Sequence, residues 1–312
     1  MKRLQNRIAE SGLVLPLMSL YALVVWLLAG LLRHWWWPQL ACFILSAYLM
    51  VELNNANSLL RVRSRMVSGV FIGLSCTMSF LFGSLSGALV QLFFIASLLL
   101  LFSLYQSPQL LGRIFYAFLL LGLSSLLSVY MLLLVPLLWL LMATHLQSMT
   151  WRGLFASLIG LVTPYWFVSL WFILQRDFTL PAAHFAALTA FIPPPDAYAA
   201  AFADPWALGR LLAYVLTAVL SVVGVVHFWR QGIDEKIRTR LLYGFFAWLT
   251  AALLLLVALQ PQLYDPLMRM ALVCASPLVA HFMTLSSSRL TNIAFFVILA
   301  AALAVTAAGL FL

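Results

Sequence analysis

Apolar positions in this chain form long unbroken runs. Stretches such as "LLLLFSLY" and "AALLLLVAL" have neither the alternation of a strand nor a polar helical face. A helix crossing a bilayer core needs about 20 apolar residues. On that measure the runs predict eleven spans: 12–32, 36–53, 66–83, 86–104, 112–127, 129–146, 154–175, 210–229, 241–259, 268–285 and 292–311. The stretch 112–146 would overshoot a bilayer as one helix, and "GLSSLLSVY" within it predicts a tight turn at Ser124–Ser128. Transmembrane barrels alternate apolar and polar residues over about ten positions, so that class is excluded. The expected fold is all-α, a polytopic helix bundle forming one membrane domain over residues 1–312. The basic start "MKRLQNR" leads into an apolar run longer than a signal-peptide core, followed by "RHWWWP" and no small-residue cleavage site. The first run is therefore expected to stay as a span.

One connection stands out by its length. In 176–210 the prolines of "FIPPPD" interrupt two alanine-rich pieces, and proline cannot continue a helix. His184, Phe185, Leu188, Phe191 and Ile192 share a helical face in the first piece; Tyr198, Phe202 and Trp206 follow at four-residue spacing in the second. Two short amphipathic helices lying in the membrane interface are expected there.

Lysine and arginine collect in cytoplasmic loops, which sets a direction on the spans. With the N-terminus inside, the cytoplasmic residues are Lys2, Arg3, Arg7, Arg61, Arg63, Arg65, Arg113, Arg152, Arg230, Lys236, Arg238, Arg240 and Arg289. The outer ones are Arg33, Arg176, Arg210 and Arg269, so the 17 divide 13 to 4. An odd number of crossings then leaves the C-terminus outside. The composition agrees: 65% hydrophobic residues, 8% charged, and a mean hydropathy of +1.08, against roughly half apolar in soluble domains. The net charge of +9 is explained by loop arginines, with membrane lipid rather than nucleic acid as the implied partner. Cys42, Cys76 and Cys274 all fall inside apolar runs without metal-type spacing, so they are expected to be structural, and no metal or cofactor is implied.

Two stretches carry a resemblance. "MTWRGLFASLIGLVTPYWF" (149–167) sets a basic turn before a span holding a glycine and Pro-Tyr, and residues 54–65 form a loop rich in asparagine and arginine. Together they resemble an uncharacterised family of multi-pass inner-membrane proteins of Bacteroidota-type bacteria, a domain of unknown function. The resemblance implies an inner-membrane location in a two-membrane bacterium and carries over no catalytic residue.

Candidate chemistry concentrates at the two membrane faces. On the cytoplasmic side, "ELNNANSLLRVRSR" (52–65) offers Glu52, Asn54, Asn55, Asn57, Arg61, Arg63 and Arg65. Topological anchoring explains the arginines, and docking of a protein partner is the sharper alternative. On the outer side, Arg176, Asp177, His184, Arg210, Asp265 and Arg269 are candidates for a substrate or phosphate site. Arginines there run against the positive-inside tendency, and guanidinium grips phosphate oxygens in a bidentate fork. Convergence of Arg176, Asp177, Arg210, Asp265 and Arg269 on one outward-opening cavity, with His184 as a proton-exchanging group, is the expectation. His145, His227 and His281 lie near cytoplasmic span ends and are read as snorkelling. The polar residues singled out within spans are small, Ser75, Thr77, Ser79, Ser124, Ser125 and Ser128, and favour helix packing. Pro136, Pro164 and Pro277 are expected to kink their helices, and the tryptophans of "RHWWWP" to form an interfacial belt.

These features point to a bacterial inner-membrane protein of cell-envelope biogenesis, with an outer-face site for a phosphate-containing lipid or lipid-linked glycan precursor. A non-catalytic scaffold and a lipid or small-molecule transporter are the alternatives. No catalytic residue is assigned.

Overall fold

The computed structural model describes residues 4–62, 64–176, 179–204, 206–232, 235–286 and 288–311. Arg63 and Asp177, among the site candidates, lie outside the described residues, as do Lys2, Arg3 and Asp234. The described residues are helical with no strand. Besides the single turn Leu31–His34, the α-helices are α1 (Leu4–Ala9), α2 (Val14–Leu28), α3 (Trp37–Asn57), α4 (Met66–Cys76), α5 (Leu85–Phe102), α6 (Leu111–Leu127) and α7 (Val135–Leu141). They continue with α8 (Trp151–Gln175), α9 (Thr179–Ala186), α10 (Pro194–Phe202), α11 (Ala207–Gln231), α12 (Ile237–Leu259), α13 (Tyr264–Leu285) and α14 (Arg289–Phe311). Among them 7 helical segments are long and apolar enough to cross a membrane, while α2, α4 and α6 are shorter apolar helices.

Each expected span coincides with a helical segment, but several are broken. Helix α4 stops at Cys76 and resumes as one 3-10 turn, Ser79–Leu81. The expected turn near Ser128 is present: Ser128 is extended, and a 3-10 segment Val129–Leu134 leads into α7. Pro136 begins α7 instead of kinking it, because the first helical turn has no amide bond for proline to break. Pro164 and Pro277 do sit inside α8 and α13. The 176–210 connection carries the two expected short helices, α9 and α10.

Helix α13 is the axis of the molecule, with its best apolar window 100% buried. Helices α4, α5, α11 and α12 surround it, and α1 packs on its last turns. Small residues let the backbones close in. A methyl group on Gly224 of α11 would stand 2.7 Å from the Leu278 carbonyl oxygen of α13, and one on Gly122 of α6 would stand 2.6 Å from Leu161 O of α8. Gly160 of α8 meets the Phe115 carbonyl the same way, and Pro164 packs beside Gly122. The Gly and Pro of "GLVTPY" are thus the α6–α8 contact, a small-residue crossing of the type that dispersion can hold in lipid.

The turns sort onto two ends. At one, Gln39 Nε2 donates to Gly83 O (3.2 Å), Ser79 Oγ to Gly309 O (2.9 Å) and Tyr264 Oη to Arg210 O (3.0 Å). At the other, Gln5 Nε2 donates to Met283 O (2.8 Å) and Ser286 Oγ (2.6 Å), and Gln106 N to Leu146 O (2.9 Å). The described residues Arg7, Arg61, Arg65, Arg113, Arg152, Arg230, Lys236, Arg238, Arg240 and Arg289 fall at this second, basic end. Arg33, Arg176, Arg210 and Arg269 fall at the first, here called the far end.

Candidate functional site

The far end is built on the first turns of α13. Tyr264 and Asp265 open the helix and Arg269 lies one turn further in, its Cα about 6 Å deeper, within the stretch Leu267–Thr284 that is buried throughout. Arg269 Nε donates to Asp265 Oδ1 (2.6 Å), and Nη2 donates to Leu81 O where the 3-10 turn after α4 passes. The arginine side chain is 8% exposed and the carboxylate 36%, so the pair spans the boundary between core and surface. Gly87 of α5 makes room for it, since a methyl there would lie 2.6 Å from Arg269 Nε.

Two cavities flank this pair. On the Asp265 side a groove of about 320 Å³ is lined by Ser84, Ser86, Ser128, Tyr130, His184 and Asp265, among others. His184 is held there by Tyr165 of α8: its Oη donates to Ser125 Oγ (2.8 Å), and it lies 3.4 Å from His184 Nε2. The tyrosine of the "PY" motif therefore seats α9 on the bundle. Behind Arg269 lies a smaller cavity of about 20 Å³, lined in part by Trp26, Gln39, Ser75 and Gln91. Trp26 Nε1, Gln39 Oε1, Ser75 Oγ and Gln91 Nε2 are all buried without a hydrogen-bond partner. Unsatisfied buried polar atoms are uncommon and costly, at about 1–3 kcal/mol each. Four such atoms belong to residues of this one lining.

A third, apolar groove of about 140 Å³ runs between α10, α11 and α12, with Tyr198, Phe202, Arg210, Tyr214 and Tyr264 among its walls. Arg210 bonds Asp204 (2.9 Å) and lies over the Tyr264 ring at 5.8 Å. The 176–210 connection is pinned over this groove: Gln260 exchanges hydrogen bonds with the backbone of Ile192 (3.3 and 3.0 Å), and Tyr198 Oη donates to Ala258 O (2.5 Å).

The structure thus brings together part of the expected outer set. Asp265 and His184 share a groove with Arg269 behind it, while Arg210 lines the neighbouring groove. Arg176 ends α8 with a positive φ of 55°, is exposed, and lines none of the three cavities. Among the described members of the set, Arg210 pairs with Asp204 and Arg269 with Asp265, and the two arginines line different cavities.

At the basic end the asparagine- and arginine-rich loop turns inward. Asn54 Nδ2 donates to Ser64 O (3.2 Å), and Asn57 accepts from Arg238 Nη2 (2.8 Å). Arg61 Nε pairs with Glu235 Oε1 at 2.5 Å, and that carboxylate is 4% exposed. Arg65 precedes α4, and its carbonyl accepts from Gly69 N (3.0 Å) and Ser68 Oγ (2.9 Å). Asn55 is exposed and Glu52 half-buried. Of this candidate docking set, the side chains of Asn54, Asn57 and Arg61 are thus engaged within the fold, and Arg61 ties its turn to Glu235. His281 corrects the snorkelling expectation: it is fully buried on α13, with Nδ1 3.3 Å from His227 Nδ1 and Nε2 3.7 Å from Glu235 Oε1. The latter is too long for a hydrogen bond. Among the described residues no group of three His, Cys, Asp or Glu is placed to hold a metal ion.

Of the polar residues lining the far-end chamber only Arg269 is a site candidate from the sequence; Ser75 reads there as a packing residue, and Gln39, Gln91 and Trp26 are not singled out. Gln91 was visible as a lone amide in the apolar run "GALVQLFFIASLLLL", and a polar side chain there is costly in lipid. Trp26 gave no signal, since an indole within "YALVVWLL" reads as bulk apolar surface.

Comparison with known protein families, curated proteins and solved structures finds no match.

Proposed function

We propose that this chain is an inner-membrane protein of bacterial cell-envelope biogenesis, whose far end faces outward and receives a phosphate-bearing lipid or lipid-linked glycan. The observation that carries this is the Asp265–Arg269 pair, set between an open groove holding His184 and a buried chamber of unpartnered polar atoms. The apolar groove beside Arg210 suits the ligand's hydrocarbon chain, and the open groove suits a polar head. The clustering of basic residues at the opposite end supports a cytoplasmic assignment for that end. Seven helical segments long and apolar enough to cross, together with the shorter apolar helices, support a reading of eleven crossings. An acceptor hydroxyl entering the open groove would meet a carboxylate and an imidazole, the two groups best suited to take its proton.

The Arg210–Asp204 and Arg269–Asp265 pairings favour a second reading, a non-catalytic scaffold whose far-end arginines serve only to hold the fold. Lipid analysis separates the two. Purified in maltoside detergent, the wild-type chain should retain a phosphate-bearing lipid detectable by mass spectrometry. Ser86→Trp, which fills the open groove from an exposed position, should lose it at unchanged thermal stability. Equal lipid content in both proteins would favour the scaffold.

A further inference from the structure

We propose that the chamber behind Arg269 is an oxyanion-binding subsite, taking the phosphoryl oxygens of a phosphate group. Four observations converge on it. First, Arg269 uses Nε on Asp265 and Nη2 on Leu81 O, and among the described residues its Nη1 makes no hydrogen bond. Second, Trp26, Gln91 and Ser75 line the chamber, and Trp26 Nε1, Gln91 Nε2 and Ser75 Oγ are buried without a hydrogen-bond partner. Gln39 Oε1 offers one acceptor for a protonated oxygen. Trp26, Ser75, Gln91 and Arg269 are each at least nine-tenths buried.

Third, helices α3, α5 and α13 all begin at this level, and residues of their first two turns (Gln39, Ala88, Gln91 and Arg269) line the chamber. Each helix start carries roughly half a positive charge. Helices α2 and α4 end nearby, but the Leu74 carbonyl is taken up by Thr77 (2.6 Å to its Oγ1) and the Leu81 carbonyl by Arg269. The neutral Arg269–Asp265 pair therefore sits in a field that favours one added negative charge. Fourth, the volume of about 20 Å³ is little more than one water needs. It admits the terminal oxygens of a group reaching in, not a whole sugar or base.

The subsite rests on the proposed function only for the carrier of the phosphate, lipid-linked or free. Its own chemistry is independent of that reading. The donors also predict a signature that a purely structural cluster would not show. Replacing Gln91, whose buried Nε2 has no protein partner, by an apolar residue of similar shape should stabilise the empty protein and weaken anion binding.

The experiment follows thermal unfolding of the full chain in maltoside detergent after lipid removal, titrated with sodium phosphate against sodium chloride at matched ionic strength. Parallel titrations use short-chain phosphatidylglycerol. Wild type should show a saturable rise in Tm. Gln91→Met should start at an equal or higher Tm. Trp26→Phe should start at a lower one, since the smaller ring leaves a cavity beside Phe82. Both should lose at least about tenfold in apparent affinity, as expected for removing a hydrogen bond to a charged group. A response to sodium phosphate identifies free phosphate as sufficient, and a response confined to phosphatidylglycerol identifies a lipid headgroup. Absence of a saturable response to both probes overturns the subsite. So does a lower starting Tm in Gln91→Met with the anion response intact, which would mean that water satisfies this amide. A response in these titrations with unaltered lipid content in Ser86→Trp would keep the subsite and remove the proposed function.

Discussion

Arg61 shows how a residue that looks like a topological anchor acquires a second duty. Its guanidinium meets Glu235 across 174 positions of sequence, and that carboxylate is almost fully enclosed. Removing the cation leaves a buried charge with diminished compensation, so Arg61→Ala is expected to cost about 2–3 kcal/mol. That is below the usual range for a fully buried pair, because the arginine is itself half exposed. Arg61→Lys keeps a positive charge beside Glu235 and should cost under about 1 kcal/mol. Thermal shift in detergent orders the two; equal loss in both would mean that guanidinium geometry, not charge, is what Glu235 requires. Tyr165 makes a second residue-scale test. Tyr165→Phe removes the hydroxyl that reaches Ser125 and His184, for about 1 kcal/mol of global stability. Hydrogen exchange should speed up across 179–189 and stay unchanged in α13. Unchanged exchange in 179–189 would show that ring packing alone seats α9.

The elements were legible to different degrees for physical reasons. Long apolar runs are a one-dimensional signal, and all eleven coincide with helical segments because lipid-type helices must satisfy their own backbone. Breaks inside runs were harder. The stop at Cys76 follows from a 3-10 turn whose Leu81 carbonyl is claimed by Arg269, a contact 188 residues away in sequence. Pro136 read as a kink, since nothing local distinguishes a helix interior from a second helix start. The candidate site was legible as residue types and depths, not as partners: the 13 to 4 charge split places Arg269 and Asp265 at one level, but which helices adjoin them is set by packing. Where packing depends on bare backbone, substitution is decisive. Gly160→Leu should separate α6 from α8 at a cost of about 3 kcal/mol, because a side chain would meet the Phe115 carbonyl. Gly12→Leu, with nothing near its added carbon, should be silent in the same thermal assay. A silent Gly160→Leu would mean that α8 is not held against α6 by this crossing.

At the scale of the whole molecule, α13 joins two polar networks through an apolar middle, with Arg269 and Asp265 at one end and His281 beside Glu235 at the other. The functional account requires these ends to face opposite sides of a membrane, with the groove around Ser128 and His184 outside. The three cysteines are buried, so introduced thiols can be read against a quiet background. The direct measurement is labelling of intact cells by a membrane-impermeant maleimide, with Ser128→Cys in the far-end groove and Ser107→Cys at the basic end. The account predicts that Ser128→Cys labels in intact cells, whereas Ser107→Cys labels only after the membrane is opened. Labelling of Ser107→Cys in intact cells, with Ser128→Cys protected until lysis, would contradict it.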